Sequence, residues 1–260
     1  MVLIHGMNAR PGSSVVDIAM GQVRQARRWI VRQSRYLAIR PAVDWWLSAF
    51  LLALSMPLLL FAGLLVKLSS PGPVLYKQSR VGRNGRRFTI YKLRTMYDCS
   101  ETATGAVWAT PKDPRITPVG KFLRATHLDE FPQLWNVLAG QMSLVGPRPE
   151  RPEIVAYLES RIADYRERLR VRPGITGLAQ VQLPPDIDLD GVRRKLICDR
   201  HYMRHLNAWL DFRILVCTAL FLLGIPLSVS RRALAIVEPV GRLGIRLPAL
   251  RLSRATQRAG

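Results

Sequence analysis

Asp129 and Glu130 stand side by side in the stretch Thr126 to Asn136, THLDEFPQLWN, inside a chain with 39 Lys plus Arg against 18 Asp plus Glu. Proline is tolerated only in the first turn of a helix, where backbone donors are unpaired anyway, so Pro132 predicts a helix that begins near Asp129. There the macrodipole favours the ionised carboxylate and keeps Asp129 a nucleophile at neutral pH. Taken in isolation, an Asp at this place is commonly no more than an N-cap. Its neighbours suggest more. Lys121 and Arg124 precede it, while Arg148 and Arg151 follow in a loop stiffened by Pro147, Pro149 and Pro152. Rigid arginines suit a bidentate grip on phosphate, and two carboxylates amid cations suit a magnesium ion bridging to a diphosphate. Together these residues describe phosphoryl transfer: a hard cation, a charge clamp and a carboxylate able to attack phosphorus. Each Arg or Lys taken singly reads as solvated charge.

Other chemistries fit less well. The chain has no GxSxG elbow, no GxxxxGK[ST] loop, no GxGxxG fingerprint and no CxxC. Adjacent residues on one helix diverge by about 100°, an awkward start for the opposed acid and base of a glycosidase. His201 and His205 have helical spacing, but no carboxylate pattern beside them resembles a metalloprotease site. Cys99, Cys198 and Cys217 are too few and too scattered for a disulfide framework or a zinc site, which points to a reducing compartment. The formal charge of +21 calls for an anionic partner: nucleic acid, anionic lipid or a phosphorylated substrate.

The elements that must position these residues begin with an uncharged run, Trp45 to Val66, WWLSAFLLALSMPLLLFAGLLV. It is long enough for a bilayer span, which needs about 20 apolar residues, and it lacks the cleavage site of a removable signal peptide. Arginines precede it from Arg24 to Arg40, and Lys67, Lys77, Arg80 and Arg83 follow, so both flanks ask to be cytoplasmic. Pro57, at its middle, predicts a bend, and the Ser55 hydroxyl is placed to bond a carbonyl that the bend frees. Two readings remain at this point, a hairpin that dips into one leaflet and returns, and a kinked single span. A second apolar run, Ile214 to Ser230, suits an interfacial or core helix. The Arg-rich tail from Arg231 onward reads equally as a basic surface segment or as disorder.

SSPGP, Ser69 to Pro73, ends the apolar helix. Val74 to Met96 predicts two strands joined at Asn84-Gly85, a strong hairpin signal. A helical stripe covers Leu128 to Leu138, and EIVAYLESRIADYRERLRVR predicts one charged amphipathic helix. PGITGLAQV is a glycine-rich turn leading to a short strand or helix.

From about Asp44 to Leu215 the chain resembles the bacterial sugar transferases, monotopic phosphoglycosyl transferases that include undecaprenyl-phosphate glucose and galactose phosphotransferases. The resemblance lies in SPGPVLYKQSRVGRNGRRFTIYKLRTM, WATPKDPRITPVGKFLRATHLDEFPQLWNVLAGQMSLVGPRPERPE, VRPGITGLAQV and WLDFRIL, in that order. It implies an α/β membrane-associated fold: a re-entrant membrane helix hairpin, a small cytoplasmic α/β domain and amphipathic interface helices. Residues 1–40 would form a basic N-terminal segment, 41–67 the re-entrant helix broken at Pro57, 68–230 the catalytic domain and 231–260 a basic tail. The implied reaction moves a sugar 1-phosphate from a UDP-sugar to undecaprenyl phosphate at the cytoplasmic face of the bacterial inner membrane, as the first membrane step of exopolysaccharide, capsule or O-antigen synthesis. Asp129 matches the family's catalytic aspartate, which expels UMP and carries the phosphosugar; Glu130 completes the dyad and shares Mg2+ with it. Lys92, Arg94, Arg124, Arg148 and Arg151 fall in blocks that contact phosphate or nucleotide. The implied partners are donor, lipid acceptor and bilayer, with no nucleic acid, and a homodimer is left open.

The chain departs from the family pattern in three places. Met56 stands directly before Pro57 where Ser is usual, Leu178 stands where tryptophan is common, and HLNAW, His205 to Trp209, replaces an Asn-Trp-Ser pattern. Rival readings are a polyprenyl-linked glycosyltransferase that releases UDP and a basic, membrane-anchored binder without catalysis.

Overall fold

A computed structural model of the chain describes residues 15–97, 113–162, 164–184 and 189–236, with side chains from residue 35 onward. Residues 1–14, Cys99, Trp108 to Lys112 of one motif block, and the tail beyond Ile236 lie outside the described residues.

Helix α1, Val15–Ser69, passes through Pro41 and Pro57 as a single helix and ends where SSPGP begins. Pro57 cannot donate to the Ala53 carbonyl. The Ser55 hydroxyl donates instead to Leu52 O, at 3.2 Å, so it binds a carbonyl of the same turn but not the one proline leaves open. One face of α1 is buried from Arg40 onward: Arg40, Asp44, Ser48, Ser55, Ala62 and Val66 recur at three- and four-residue multiples, and Ser70 continues the line. The other faces expose Trp46, Phe50, Leu54, Phe61, Leu64 and Leu68. Arg35–Ser69 is long and apolar enough to cross a membrane, and only 22% of its most apolar window is buried.

The hairpin forms as the sequence predicts. β1, Leu75–Val81, pairs antiparallel with β2, Arg87–Leu93, in the register Lys77↔Tyr91, and the turn runs through Asn84 and Gly85, both at positive φ. A second pair is parallel: β3, Ser143–Val145, lies beside β4, Gly174–Thr176. That pairing depends on glycine. A Cβ on Gly174 would fall 2.1 Å from Gly146 N, and one on Gly177 would fall 2.1 Å from Gly146 O. The PGITG block is therefore a backbone contact surface.

Between the two pairs lie α2, Pro118–Ala125, and α3, Gln133–Leu138; after β3 come α4, Pro152–Glu159, and, following β4, α5, Leu178–Gln182. The chain continues through α6, Leu189–Arg204, α7, Ala208–Leu222, and α8, Leu227–Ala233. The single charged helix expected from Glu153 onward is two pieces. α4 ends at Glu159, Asp164 takes a left-handed φ of 62°, and a 3₁₀ segment, Tyr165–Arg170, follows. Leu158, Ile162 and Tyr165, whose four- and three-residue spacing is that of a helical stripe, still face one small core with Val81, Val192 and Leu196 across the break. The largest core joins Ile90, Leu134, Met142, Val145, Leu178 and Ile214, and Tyr36, Leu47, Leu51 and Leu52 of α1 pack against it. Leu178 and Ile214 are thereby explained as core residues, and the second apolar run is the core-facing helix α7 followed by a break.

Candidate active site

The helix expected to begin at Asp129 begins at Gln133. Two pieces replace one. α2 ends at Ala125, His127 turns left-handed at φ 56°, and Leu128–Glu130 form a single 3₁₀ turn before α3. Glu130 N and Phe131 N donate to His127 O and Leu128 O, at 3.1 and 3.3 Å, and this tight turn presents both acidic side chains. Asn136, fully buried on α3, fixes the turn to the sheet. Its Nδ2 donates to Thr89 O at 2.7 Å and its Oδ1 accepts from Tyr91 N at 3.3 Å, so its amide imitates a neighbouring strand on the free edge of β2. Lys92, the next residue on β2, then reaches Glu130.

The two carboxylates are treated differently. Glu130 Oε1 accepts from Lys92 Nζ at 2.7 Å and from Arg148 Nη2, while Oε2 accepts from Arg148 Nη1 at 3.1 Å. Burial opposes its charge, but Arg148 and Lys92, by charge and by hydrogen bond, outweigh burial and hold Glu130 well below the usual carboxylate range. Burial pushes Lys92 down despite Glu130. Asp129 is 7% exposed, and among the described residues its carboxylate has no hydrogen bond or ion pair. Burial, then the charge of Glu130, raises its pKa against the opposing charges of Lys92 and Arg124. This direction is opposite to the one a helix dipole would give, because burial and the neighbouring Glu130 outweigh the surrounding cations. The result is one carboxylate locked as an anion and one desolvated carboxylate with its lone pairs unspent, the more reactive state for attack on phosphorus.

Magnesium can be tested against this donor set. Among the described residues no group of three or more His, Cys, Asp or Glu could hold a metal. Mg2+ commonly takes only one or two carboxylates and completes its shell with water and substrate phosphate. Asp129 offers unpaired oxygens, and Glu130 Oε2, with one bond accepted, keeps a lone pair. The residues fit a magnesium ion that arrives with a diphosphate.

Arg124, on α2, is set by the bond from its Nε to Thr95 Oγ1, at 2.8 Å, and its charge reaches Asp129. Arg94 is placed elsewhere. It is 5% exposed and its Nη2 donates to Ser70 O at 2.7 Å and Ser70 Oγ at 3.0 Å, closing the C-terminal end of α1. Arg151 precedes α4 and pairs with Glu153 at 3.6 Å. The structure thus gathers Lys92, Arg124 and Arg148 around the dyad and sets Arg94 and Arg151 on other contacts.

Two buried clusters have no counterpart in the sequence reading. Arg40 of α1 donates from Nη2 to Tyr202 OH, at 2.9 Å, and to Val145 O, and its Nε lies 3.1 Å from Asp211 Oδ2; Ser143 donates to Asp44. The second cluster, around Arg168, Asp199 and Glu150, lies behind the Arg148 loop. Arg40 and Asp44, at i, i+4, and Tyr165 and Arg168, at i, i+3, carry a local signal; the other partners are far apart in sequence.

The sequence model described as "Bacterial sugar transferase" matches residues 35–224. Over 183 residues the chain is 43% identical to a UDP-N-acetylgalactosamine-undecaprenyl-phosphate N-acetylgalactosaminephosphotransferase of Aeromonas hydrophila, covering 70% of this chain and 43% of that one. Over 173 residues it is 45% identical to a UDP-glucose:undecaprenyl-phosphate glucose-1-phosphate transferase of Caulobacter vibrioides, covering 66% of this chain and 64% of that one. An exopolysaccharide production protein of Rhizobium leguminosarum is 40% identical over 187 residues, 94% of its own length. The chain spans less than two thirds of the first two relatives.

Proposed function

Because the chain belongs to the bacterial sugar transferase family, we propose that it moves a sugar 1-phosphate from a UDP-sugar to undecaprenyl phosphate, with Asp129 as covalent nucleophile and UMP as first product. The observation that carries this reading is the contrast within the dyad: Asp129 desolvated and without a partner, Glu130 clamped by Lys92 and Arg148.

In the first half-reaction an Asp129 oxygen bonds to the phosphorus that bears the sugar. The bond from that phosphorus to the bridging oxygen breaks, and UMP departs with the electron pair. Lys92, Arg124 and Arg148 lie where charge builds on the phosphoryl oxygens. Mg2+, held by Asp129, Glu130 and the donor, would neutralise diphosphate charge. In the second half-reaction an oxygen of undecaprenyl phosphate attacks the same phosphorus and returns Asp129 as a free carboxylate. Glu130, ionised throughout, keeps the cations in place. Arg94 and Arg151, held by other contacts, take no step in this scheme.

The lipid acceptor is supported by the surface near the dyad. The ring of Phe221 lies 5.5 Å from that of His127, so the exposed apolar end of α7, with Leu222 and Leu223, borders the 3₁₀ turn. Trp135 and Phe122 are exposed as well, as aromatic residues at a bilayer interface are. The re-entrant reading of α1 is supported by its buried face. From Arg40 to Ser70 a helix rises about 45 Å, more than the ~30 Å hydrocarbon core, yet both ends touch the same α/β unit: Arg40 binds Val145 O and Tyr202, and Arg94 binds Ser70. A straight span would carry one end to the far side. We place the protein at the cytoplasmic face of the inner membrane, in polysaccharide initiation. The relatives named above differ in sugar, N-acetylgalactosamine in one and glucose in the other, so the sugar stays open.

Purified protein incubated with Mg2+ and a radiolabelled UDP-sugar, without lipid, tests the reading. Labelled protein and UMP are expected; release of UDP, or no labelled protein, overturns it.

A further inference from the structure

The backbone that carries Arg148 is gripped at four consecutive carbonyls. Pro147 O accepts from Gly174 N at 3.0 Å, Arg148 O from Arg168 Nη2 at 2.8 Å, Pro149 O from Arg80 Nη1 at 3.2 Å and Glu150 O from Val81 N at 2.9 Å. Pro147 and Pro149 have no N–H, so this loop can be fixed mainly by donors brought to it. Two of the four donors are guanidinium groups. Arg168 is 3% exposed and spends its whole fork: Nε on Asp199 Oδ2 at 2.9 Å, Nη1 on Tyr165 OH at 2.7 Å and Nη2 on the loop. Asp199 is itself 2% exposed. A buried ion pair is weak evidence for stability, since apolar residues often fill such a volume as well. What apolar residues cannot do is donate to Arg148 O.

We infer that Arg168, oriented by Asp199, is a positioning residue for phosphosugar transfer: it fixes the backbone of Arg148 so that the guanidinium meets Glu130 and faces the donor diphosphate. Arg168 does not touch the dyad and acts through Arg148. This rests on the reaction proposed above. Arg168→Lys keeps the charge but loses the planar fork, because one ammonium cannot reach three acceptors in fixed directions. A displacement of Arg148 of about 1 Å is enough to lower the rate of UMP release by about 100-fold.

The experiment is a kinetic cycle on the full chain in detergent or nanodiscs, with wild type, Arg168→Lys, Arg148→Lys and the double variant. Arg168→Lys should lower kcat/KM for UMP release by about 10- to 100-fold, divided between KM and kcat in the same proportion as in Arg148→Lys. In the Arg148→Lys background it should cost less than about twofold more, since the residue it acts through is already impaired. Losses that multiply, or a division between KM and kcat unlike that of Arg148→Lys when rates are expressed per folded molecule, overturn the inference. If Arg168→Lys does not fold, Asp199→Asn takes its place in the same cycle with the same criteria. Wild-type protein that releases no UMP from any UDP-sugar defeats the functional reading; wild type that does so while Arg168→Lys keeps wild-type KM and kcat defeats this inference alone.

Discussion

Arg148 closes on Glu130 with both of its terminal nitrogens, one on each carboxylate oxygen, across 18 residues of sequence. This fork divides the labour of the acidic pair. It fills one side of Glu130, Lys92 fills another, and Asp129 is left as the carboxylate without a hydrogen bond or ion pair among the described residues.

Asp129→Asn should abolish both UMP release and covalent labelling, a loss of at least about 10³-fold, because an amide cannot form the acyl phosphate bond. Glu130→Gln should retain measurable labelling while slowing it by roughly 100-fold, since the electrostatic frame is weakened but the nucleophile stays. Single-turnover labelling of the two variants distinguishes them. Equal residual rates would refute the separate roles.

Activity should fail on mild acidification before the fold does. The pKa of Asp129 is raised, so its nucleophilic form disappears as pH falls through a value above that of an ordinary aspartate, about 3.9. The pKa of Glu130 is depressed; its stabilising contribution is complete above about 4.3, the unfolded value, and is lost only as pH falls below that through its folded pKa. Glu130→Gln removes one cause of the Asp129 shift and should move the acid limb of the rate profile to lower pH. Parallel profiles of rate and circular dichroism check both statements.

Gly174→Ala should lower thermal stability by about 1–3 kcal/mol, since the new methyl would lie 2.1 Å from Gly146 N and must push β3 and β4 apart. The same shift disturbs the bond from Gly174 N to Pro147 O, so UMP release should fall as well. A scanning-fluorimetry midpoint within error of wild type would show that the close approach is not needed.

Arg40→Met removes the cation from a buried cluster and leaves Asp211 and Asp44 without it. About 3–5 kcal/mol of stability should be lost, because an uncompensated buried charge remains. Arg40→Met with Asp211→Asn should recover part of that loss. Thermal unfolding of both variants in nanodiscs gives the comparison.

Cysteines placed at Arg35 and Lys67, with the native thiols removed, should resist a membrane-impermeant reagent in intact cells and react after permeabilisation. Both flanks of the apolar segment are basic, and Arg40 before it and Ser70 after it bond the same domain. Labelling of the Arg35 site from outside would mean a true span.

Local chemistry was readable where local forces decide. Asn84-Gly85 set the hairpin because positive φ is inexpensive there, SSPGP ended α1, the uncharged run marked a helix long and apolar enough to cross a membrane, and runs of motif identified the family. The sequence also placed Asp129 and Glu130 together among cations. It did not reveal that the helical stripe from Leu128 to Leu138 would break into a 3₁₀ turn and a short helix, or that Arg94 would turn to the end of α1 while Lys92, two residues earlier, reached Glu130. Those outcomes depend on partners distant in the chain. Asn136 grips β2 47 residues back, Arg168 grips the Arg148 loop from 20 residues on, and Arg40 meets Tyr202 across 162. Which of two adjacent carboxylates is desolvated and unpaired is a property of the space around them, and folding alone creates that space.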